Sequence, residues 1–144
     1  MKEPAGLLRS DGKRPDGCSL IPWQAGKCVT WDVTAPDTLA RSHLPETSLV
    51  SAAAAESAAR KKVSKYIEIL RTHLFVPIAV ESLGPINGAG VAFLCAVGKH
   101  LSAKSRDPRE TSFLFQRVSI INQRMNSAAI NGCYPVDGDD ADAP

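Results

Sequence analysis

Asp16 stands in the step Arg14-Pro15-Asp16-Gly17, and Asp32 in the run Trp31-Asp32-Val33-Thr34. Residues 17–21 and 27–34 are β-prone, and the intervening Pro22-Trp23-Gln24-Ala25-Gly26 is turn-forming, so the pattern predicts a β-hairpin. A hairpin brings the two aspartates together at one end of the ladder. Two close carboxylates repel unless a cation lies between them. An all-oxygen pair suits Mg2+, with Mn2+ as a substitute, because such ions take one or two carboxylates and fill the remaining positions with water and phosphate oxygens. A cation held that way polarises a phosphoryl oxygen and lowers the pKa of bound water. The plainer alternative is that Asp16 is a turn residue between Pro and Gly and that Asp32 is a solvated strand-end charge.

A second cluster lies in Arg60-Lys61-Lys62-Val63-Ser64-Lys65-Tyr66. On a helix, Lys62 and Tyr66 share one face and Lys61 and Lys65 another. With Val63 and Ile67 turned inward, a lysine at the rim of a sheet can stabilise charge on a phosphate or orient an attacking water. The same lysines also suit an ordinary solvated helix face.

The elements that must position these groups are legible in outline. Thr47 or Ser48 can cap one long helix reaching about Thr72, through the Ala-rich 52–59 stretch and an apolar stripe of Val63, Ile67, Leu70 and Leu74. Residues 35–47, with Pro36 and Pro45, read as a loop. Residues 75–81 read as a buried strand in which Pro77 demands an edge or a bulge. A second helix is expected over 87–104, with Val91, Leu94, Gly98 and Leu101 on one side. A third is capped by Asp107, has Pro108 in its first turn, carries a stripe of Leu114, Val118, Ile121, Met125 and Ala128, and ends before Gly132. The expected class is α/β, a small mixed sheet flanked by helices with a helical C-terminal extension. The expected organisation is a flexible segment over 1–13, a core over 14–83, a helical extension over 84–132 packed on it, and a disordered acidic tail over 133–144.

Other residues carry weaker signals. Glu81 can face a cation site from its strand end, although a solvated charge is the simpler expectation there. Asp37 reads as a turn residue, and Asp11-Gly12 as a turn signal. His43, His73 and His100 lack ligand spacing. Trp31 is expected to pack under the sheet, and strand alternation then turns Asp32 to the opposite face and exposes it. Trp23 suits core or turn packing better than stacking on a base. Arg117 and Arg124, with Arg109, recur near a seven-residue interval on the third helix and offer phosphate contacts or an ordinary polar surface.

Composition sets the class. The net charge is +2, but Asp137, Asp139, Asp140 and Asp142 crowd into the last eight residues, leaving a basic body able to approach a phosphate backbone. Cys18, Cys28, Cys95 and Cys133 form no Cys-x-x-Cys pair, which argues against a zinc knuckle. No Walker loop, Gly-x-Ser-x-Gly elbow or Cys-His nucleophile pattern occurs. The beginning of the sequence has no apolar leader, and no apolar run approaches the ~20 residues of a membrane span. The expectation is therefore no membrane, an intracellular reducing setting and free thiols.

Taken in order, Arg14-Pro15-Asp16, Trp31-Asp32-Val33-Thr34 and Ala59-Arg60-Lys61-Lys62-Val63-Ser64-Lys65-Tyr66 resemble the restriction-like endonuclease domain of site-specific non-LTR retrotransposon proteins, in the PD-(D/E)xK superfamily. The resemblance spans about residues 9–81. Downstream, Phe113-Leu114-Phe115-Gln116-Arg117 and Gln123-Arg124 resemble tails of related element-derived reading frames. It implies a restriction-endonuclease-like core and metal-dependent DNA cleavage, with Asp16 and Asp32 as metal ligands and Lys62, Lys65 and Tyr66 as helix-borne catalytic partners. Arg14, Lys61, Arg117 and Arg124 would hold DNA. It further implies a nuclear address and an upstream reverse-transcriptase segment. The family commonly has Lys where this chain has Thr34, so the lysine is expected from the helix. The family's opening helix and first strand are expected to be truncated here. The alternative is a catalytically inactive DNA-binding or interaction remnant of such an element.

Overall fold

Ala25 and Gly26 adopt positive φ values of 49° and 73° in succession. That conformation reverses the chain between Gln24 and Lys27, where Lys27 N donates to the Gln24 carbonyl at 2.9 Å. Such a two-residue turn matches the twist of an antiparallel ribbon. The expected hairpin forms, with a first strand shorter than anticipated: β1 is Gly17–Cys18 and β2 is Val29–Thr34, paired antiparallel with Gly17 opposite Trp31. Beyond Cys18, Ser19 N still donates to the Val29 carbonyl, but Leu20 and Ile21 turn outward and are exposed. The computed structural model describes residues 14–133. The expected flexible N-terminal segment, the Asp11-Gly12 turn and the acidic tail beyond Cys133 lie outside the described residues.

The chain leaves β2 through a loop and one helical turn, α1 (Leu44–Thr47), which opens with a proline. The single long helix expected from about residue 47 to 72 is instead broken twice. Ala52 takes a left-handed conformation (φ 64°) and begins α2, Ala53–Lys65. At Tyr66 the helix tightens into a 3-10 segment, Ile67–Arg71. The expected apolar stripe fails for the same reason. Ile67 is 60% exposed and Leu70 40%, while Ala54, Ala55, Ala59, Tyr66 and Ile69 are buried. Small side chains let α2 lie close to the sheet, and the change of pitch at Tyr66 exchanges which residues point inward.

β3, Leu74–Ala79, returns parallel to β2 and completes a mixed sheet in the order β1-β2-β3. Pro77 therefore sits in an edge strand, where its missing N–H costs no ladder bond. The polar groups on that outer edge are covered. Asn87, itself fully buried, donates from Nδ2 to the Pro77 carbonyl (3.0 Å) and accepts from Ala79 N at Oδ1 (2.8 Å). Its side-chain amide takes the place of a neighbouring peptide group.

α3 (Gly88–Ser105) and α4 (Glu110–Cys133) cover the other face. Trp31 lies across Gly17, and its ring centroid is 6.1 Å from that of Phe93 on α3. Trp23 packs on Phe93 and on His100, with centroids 5.5 and 4.8 Å apart, which ties the hairpin turn to the same helix. α3 meets α4 where Gly98 lies against Thr111. Leu94 and Gly98 are buried as expected, whereas Val91 and Leu101 are 37% and 40% exposed. Asp107 Oδ1 accepts from Arg109 N (2.9 Å) in a turn that precedes α4, so it is not the direct helix cap expected. Gly132 falls inside α4, not beyond it. The expected stripe on α4 is only partly used: Leu114 and Val118 are half-buried, but Ile121, Met125 and Ala128 are exposed. α4 docks through Asn122, which donates to the carbonyls of Glu81 and Ser82, and Asn126, which donates to that of Ser82. The result is a mixed α/β molecule with α2 on one face of a small sheet and α3 and α4 on the other.

Candidate metal centre

Strand alternation decides which residues of β2 meet α2. Trp31 and Val33 face α3 and α4, so Thr30 and Asp32 face α2. The sequence-based expectation that Asp32 would be exposed is overturned: it is 3% exposed. α2 is the cause, since it lies directly over that face. Burying a carboxylate costs several kcal/mol unless it is paired and hydrogen-bonded, and the two pairing groups both come from the end of α2. The Lys62 ammonium ion-pairs with Asp32 Oδ2, and the Tyr66 hydroxyl lies 3.3 Å from Oδ1, donating toward it. Lys62 and Tyr66 share the α2 face that the four-residue spacing predicted.

Tyr66 is the pivot. It is 1% exposed and packs with Ile69 and Phe75 in an apolar cluster that Val63 flanks, its ring centroid 5.0 Å from that of Phe75. Its hydroxyl also reaches the Arg14 carbonyl at 3.0 Å, which joins α2 to the segment entering β1. Burial, followed by the negative charge of Asp32 and the hydrogen bond to it, pushes the Tyr66 phenol up to about 12. Tyr66 therefore stays a neutral donor across the physiological range.

Asp16 lies one residue before β1, and the β1–β2 register carries it opposite Asp32. Its Oδ2 accepts from Val33 N at 2.7 Å, taking the next ladder position on β2. That bond leaves Oδ1 as the other acceptor of an exposed carboxylate beside a buried one. Lys65 is half-buried, with its ammonium 4.5 Å from the centroid of the Tyr66 ring. Lys61 is exposed on α2, and Arg14 is exposed beside Asp16. Arg117 and Arg124 are exposed on α4, in the layer across the sheet from α2. Asp32, Lys62 and Tyr66 are thus brought together, with Lys65 against the Tyr66 ring and Asp16 opposite Asp32 in the ladder but bonded to Val33 N, whereas Arg117 and Arg124 are not part of that group.

Glu81 corrects a further expectation. It is 1% exposed, and its Oε1 accepts from Ala55 N (3.0 Å) in the first turn of α2. A carboxylate suits the positive end of a helix dipole. Glu81 thus anchors the helix that carries Lys62 and Tyr66, from the opposite end. Glu56 does the same in reverse, accepting from Gly88 N (2.6 Å) at the start of α3. Neither contact has a local signal in the sequence, since the partners are 26 and 32 residues apart. Asp37 behaves as the turn residue expected, accepting from Leu39 N. Cys28 and Cys95 are free thiols, and burial raises the Cys18 thiol above its ordinary value.

Asp16 and Asp32 supply carboxylate oxygens, the donor type that a hard divalent cation takes. Asp32 Oδ2 is fully buried and, apart from the Lys62 ammonium, has no hydrogen-bond donor. A buried acceptor facing a positive charge, next to a second carboxylate, is an all-oxygen pair of the kind that Mg2+ uses with water and phosphate. Among the described residues no three His, Cys, Asp or Glu side chains gather around one point. Set against protein-family models, curated proteins and solved structures, the chain matches none of them. Among the described residues no helix is long and apolar enough to cross a membrane.

Proposed function

We propose that this chain is a metal-dependent DNA endonuclease domain of the PD-(D/E)xK kind, derived from a retrotransposon protein. The observation that carries this reading is the buried Asp32 carboxylate held between Lys62 and Tyr66, with Asp16 opposite it in the ladder. It supports the reading because Asp32 and Lys62, from two of the motifs that carry the family resemblance, pair directly, and Asp16, from the third, lies opposite Asp32 in register. Lys62 reaches Asp32 from the helix, which supplies the lysine missing at Thr34.

In this reading Asp16 and Asp32 hold Mg2+ or Mn2+, and the bound ion supplies Lewis acidity and an acidified water for phosphodiester hydrolysis. Tyr66 keeps Asp32 oriented through a hydroxyl that does not ionise in the working range. Lys62 stabilises negative charge on the scissile phosphate. Arg14, Lys61 and Lys65, around the same end of α2, contact the DNA backbone independently of base sequence. A DNA substrate implies a nuclear address, and the retrotransposon origin implies an upstream reverse-transcriptase segment as partner.

Plasmid nicking with Mg2+ or Mn2+ tests the reading. The folded wild-type domain is expected to nick, and Asp32→Asn to lose more than the roughly 10–100-fold typical of removing an outer-shell partner. No nicking by folded wild-type protein that still binds DNA in a salt-dependent manner would replace this reading with the inactive DNA-binding remnant.

A further inference from the structure

Asp32 Oδ2 has one neutralising partner, and it is a cation that belongs to the protein. The ammonium of Lys62 stands where a divalent ion sharing Asp32 would need to approach. We infer that Lys62 is a resident counter-ion of Asp32 and gives it up to a divalent cation only when a phosphodiester takes the ammonium. Cation and DNA then bind with positive coupling. This rests on the cation site proposed above and specifies how its loading is controlled.

Three observations support the exchange. The first is asymmetry of burial: the Lys62 side chain is 24% exposed and that of Asp32 only 5%, so the ammonium can leave toward solvent while the carboxylate cannot. The second is that Asp32 has another partner besides Lys62. Its Oδ1 lies against the Tyr66 hydroxyl, itself fixed in the apolar cluster with Phe75 and Ile69. Lys62 can therefore swing on its own side chain, from within the last turn of α2, without disturbing the ligand it releases. The third is charge balance. The two aspartates and Lys62 together carry one negative charge. Adding a divalent cation makes that one positive, and a single phosphodiester restores neutrality. Lys62 and the cation repel each other until the phosphate arrives, and linkage requires each ligand to strengthen the other by the same factor.

The test is Mn2+ binding by the full chain, followed by electron paramagnetic resonance of the free ion. Dimethyl phosphate serves as a phosphodiester that supplies no DNA contacts. Lys62→Gln removes the charge but keeps an amide donor for Asp32, and Lys62→Met is the second variant, with circular dichroism confirming the fold of each. Both are expected to bind Mn2+ about tenfold or more tighter than wild type without phosphate, within the usual range of coupling between sites. Dimethyl phosphate should raise the Mn2+ affinity of wild type and leave that of the Lys62 variants nearly unchanged. Asp32→Asn should abolish binding in every background. Equal or weaker Mn2+ binding by the Lys62 variants, with Asp32→Asn still abolishing it, would overturn the counter-ion role and leave the cation site standing. The same enhancement by dimethyl phosphate in all proteins would overturn the coupling. No Mn2+ binding by any of them would overturn both the inference and the cation site.

Discussion

The two faces of the sheet solve opposite problems. On the α2 face a carboxylate is buried, and its surroundings are closely specified: alanines that let the helix approach, a tyrosine hydroxyl on one oxygen and an ammonium on the other. On the α3–α4 face the surroundings are apolar and loosely filled. A cavity of about 250 Å³ remains there, lined by Val33, Ile78, Val80, Leu94, Val118 and Met125 among others. It opens to solvent beside Ile121 and Met125, both exposed. The difference shows where this fold spends its specificity. Polar burial demands particular partners at particular atoms, whereas an apolar contact tolerates an imperfect fit.

The sharpest way to break the comparison is to remove one member of the buried pair. Lys62→Met leaves Asp32 charged and enclosed, which costs about 3–5 kcal/mol. Asp32→Asn should cost less, because the quarter-exposed Lys62 can turn to water. Urea unfolding midpoints of the two variants should therefore separate in that order, and equal losses would show that Asp32 is not enclosed. A smaller effect contrasts the faces directly. Ala55→Leu adds volume under α2 at a residue with no exposure and is expected to destabilise by about 1–3 kcal/mol. Val118→Leu adds volume beside the cavity and is expected to stabilise by about 0.5–2 kcal/mol. Opposite signs in thermal melting sharpen the distinction; like signs erase it.

The smallest effect is a dependence on pH. The Tyr66 phenol is raised to about 12 from an ordinary value of 10.0, chiefly by burial and then by Asp32. The folded state therefore favours the neutral phenol. The resulting stability is fully present below pH 10 and is lost as pH rises from 10 towards 12. Urea midpoints should fall across that window in wild type and fall less in Tyr66→Phe. A decline of equal depth in both proteins would remove Tyr66 as its source.

The legible part of this protein lay in short-range pattern. The β-rich runs around Gly26 specified a hairpin, because the turn and its flanking strands are neighbours in the chain. That hairpin register placed Asp16 across from Asp32, and the four-residue spacing placed Lys62 and Tyr66 on one face. Pro77 pointed to an edge strand or a bulge through its missing donor, and the sheet order makes it an edge. A helix stripe, by contrast, does not specify what the helix meets. Ile67 and Leu70 look apolar and periodic, yet the turn tightens at Tyr66 and leaves both exposed.

Residue types and local spacing by themselves determined the hairpin and the face shared by Lys62 and Tyr66, and narrowed Pro77 to an edge or a bulge. Only the tertiary structure decided that Asp32 is buried, that Lys62 and not a neighbouring lysine pairs with it, that Glu81 anchors α2, and that Asn87 closes the sheet edge. Turns, alternation and helical spacing depend on residues a few positions apart. Burial and ion pairing depend on which layer arrives over a given face, and that is set by packing between segments tens of residues apart in the chain.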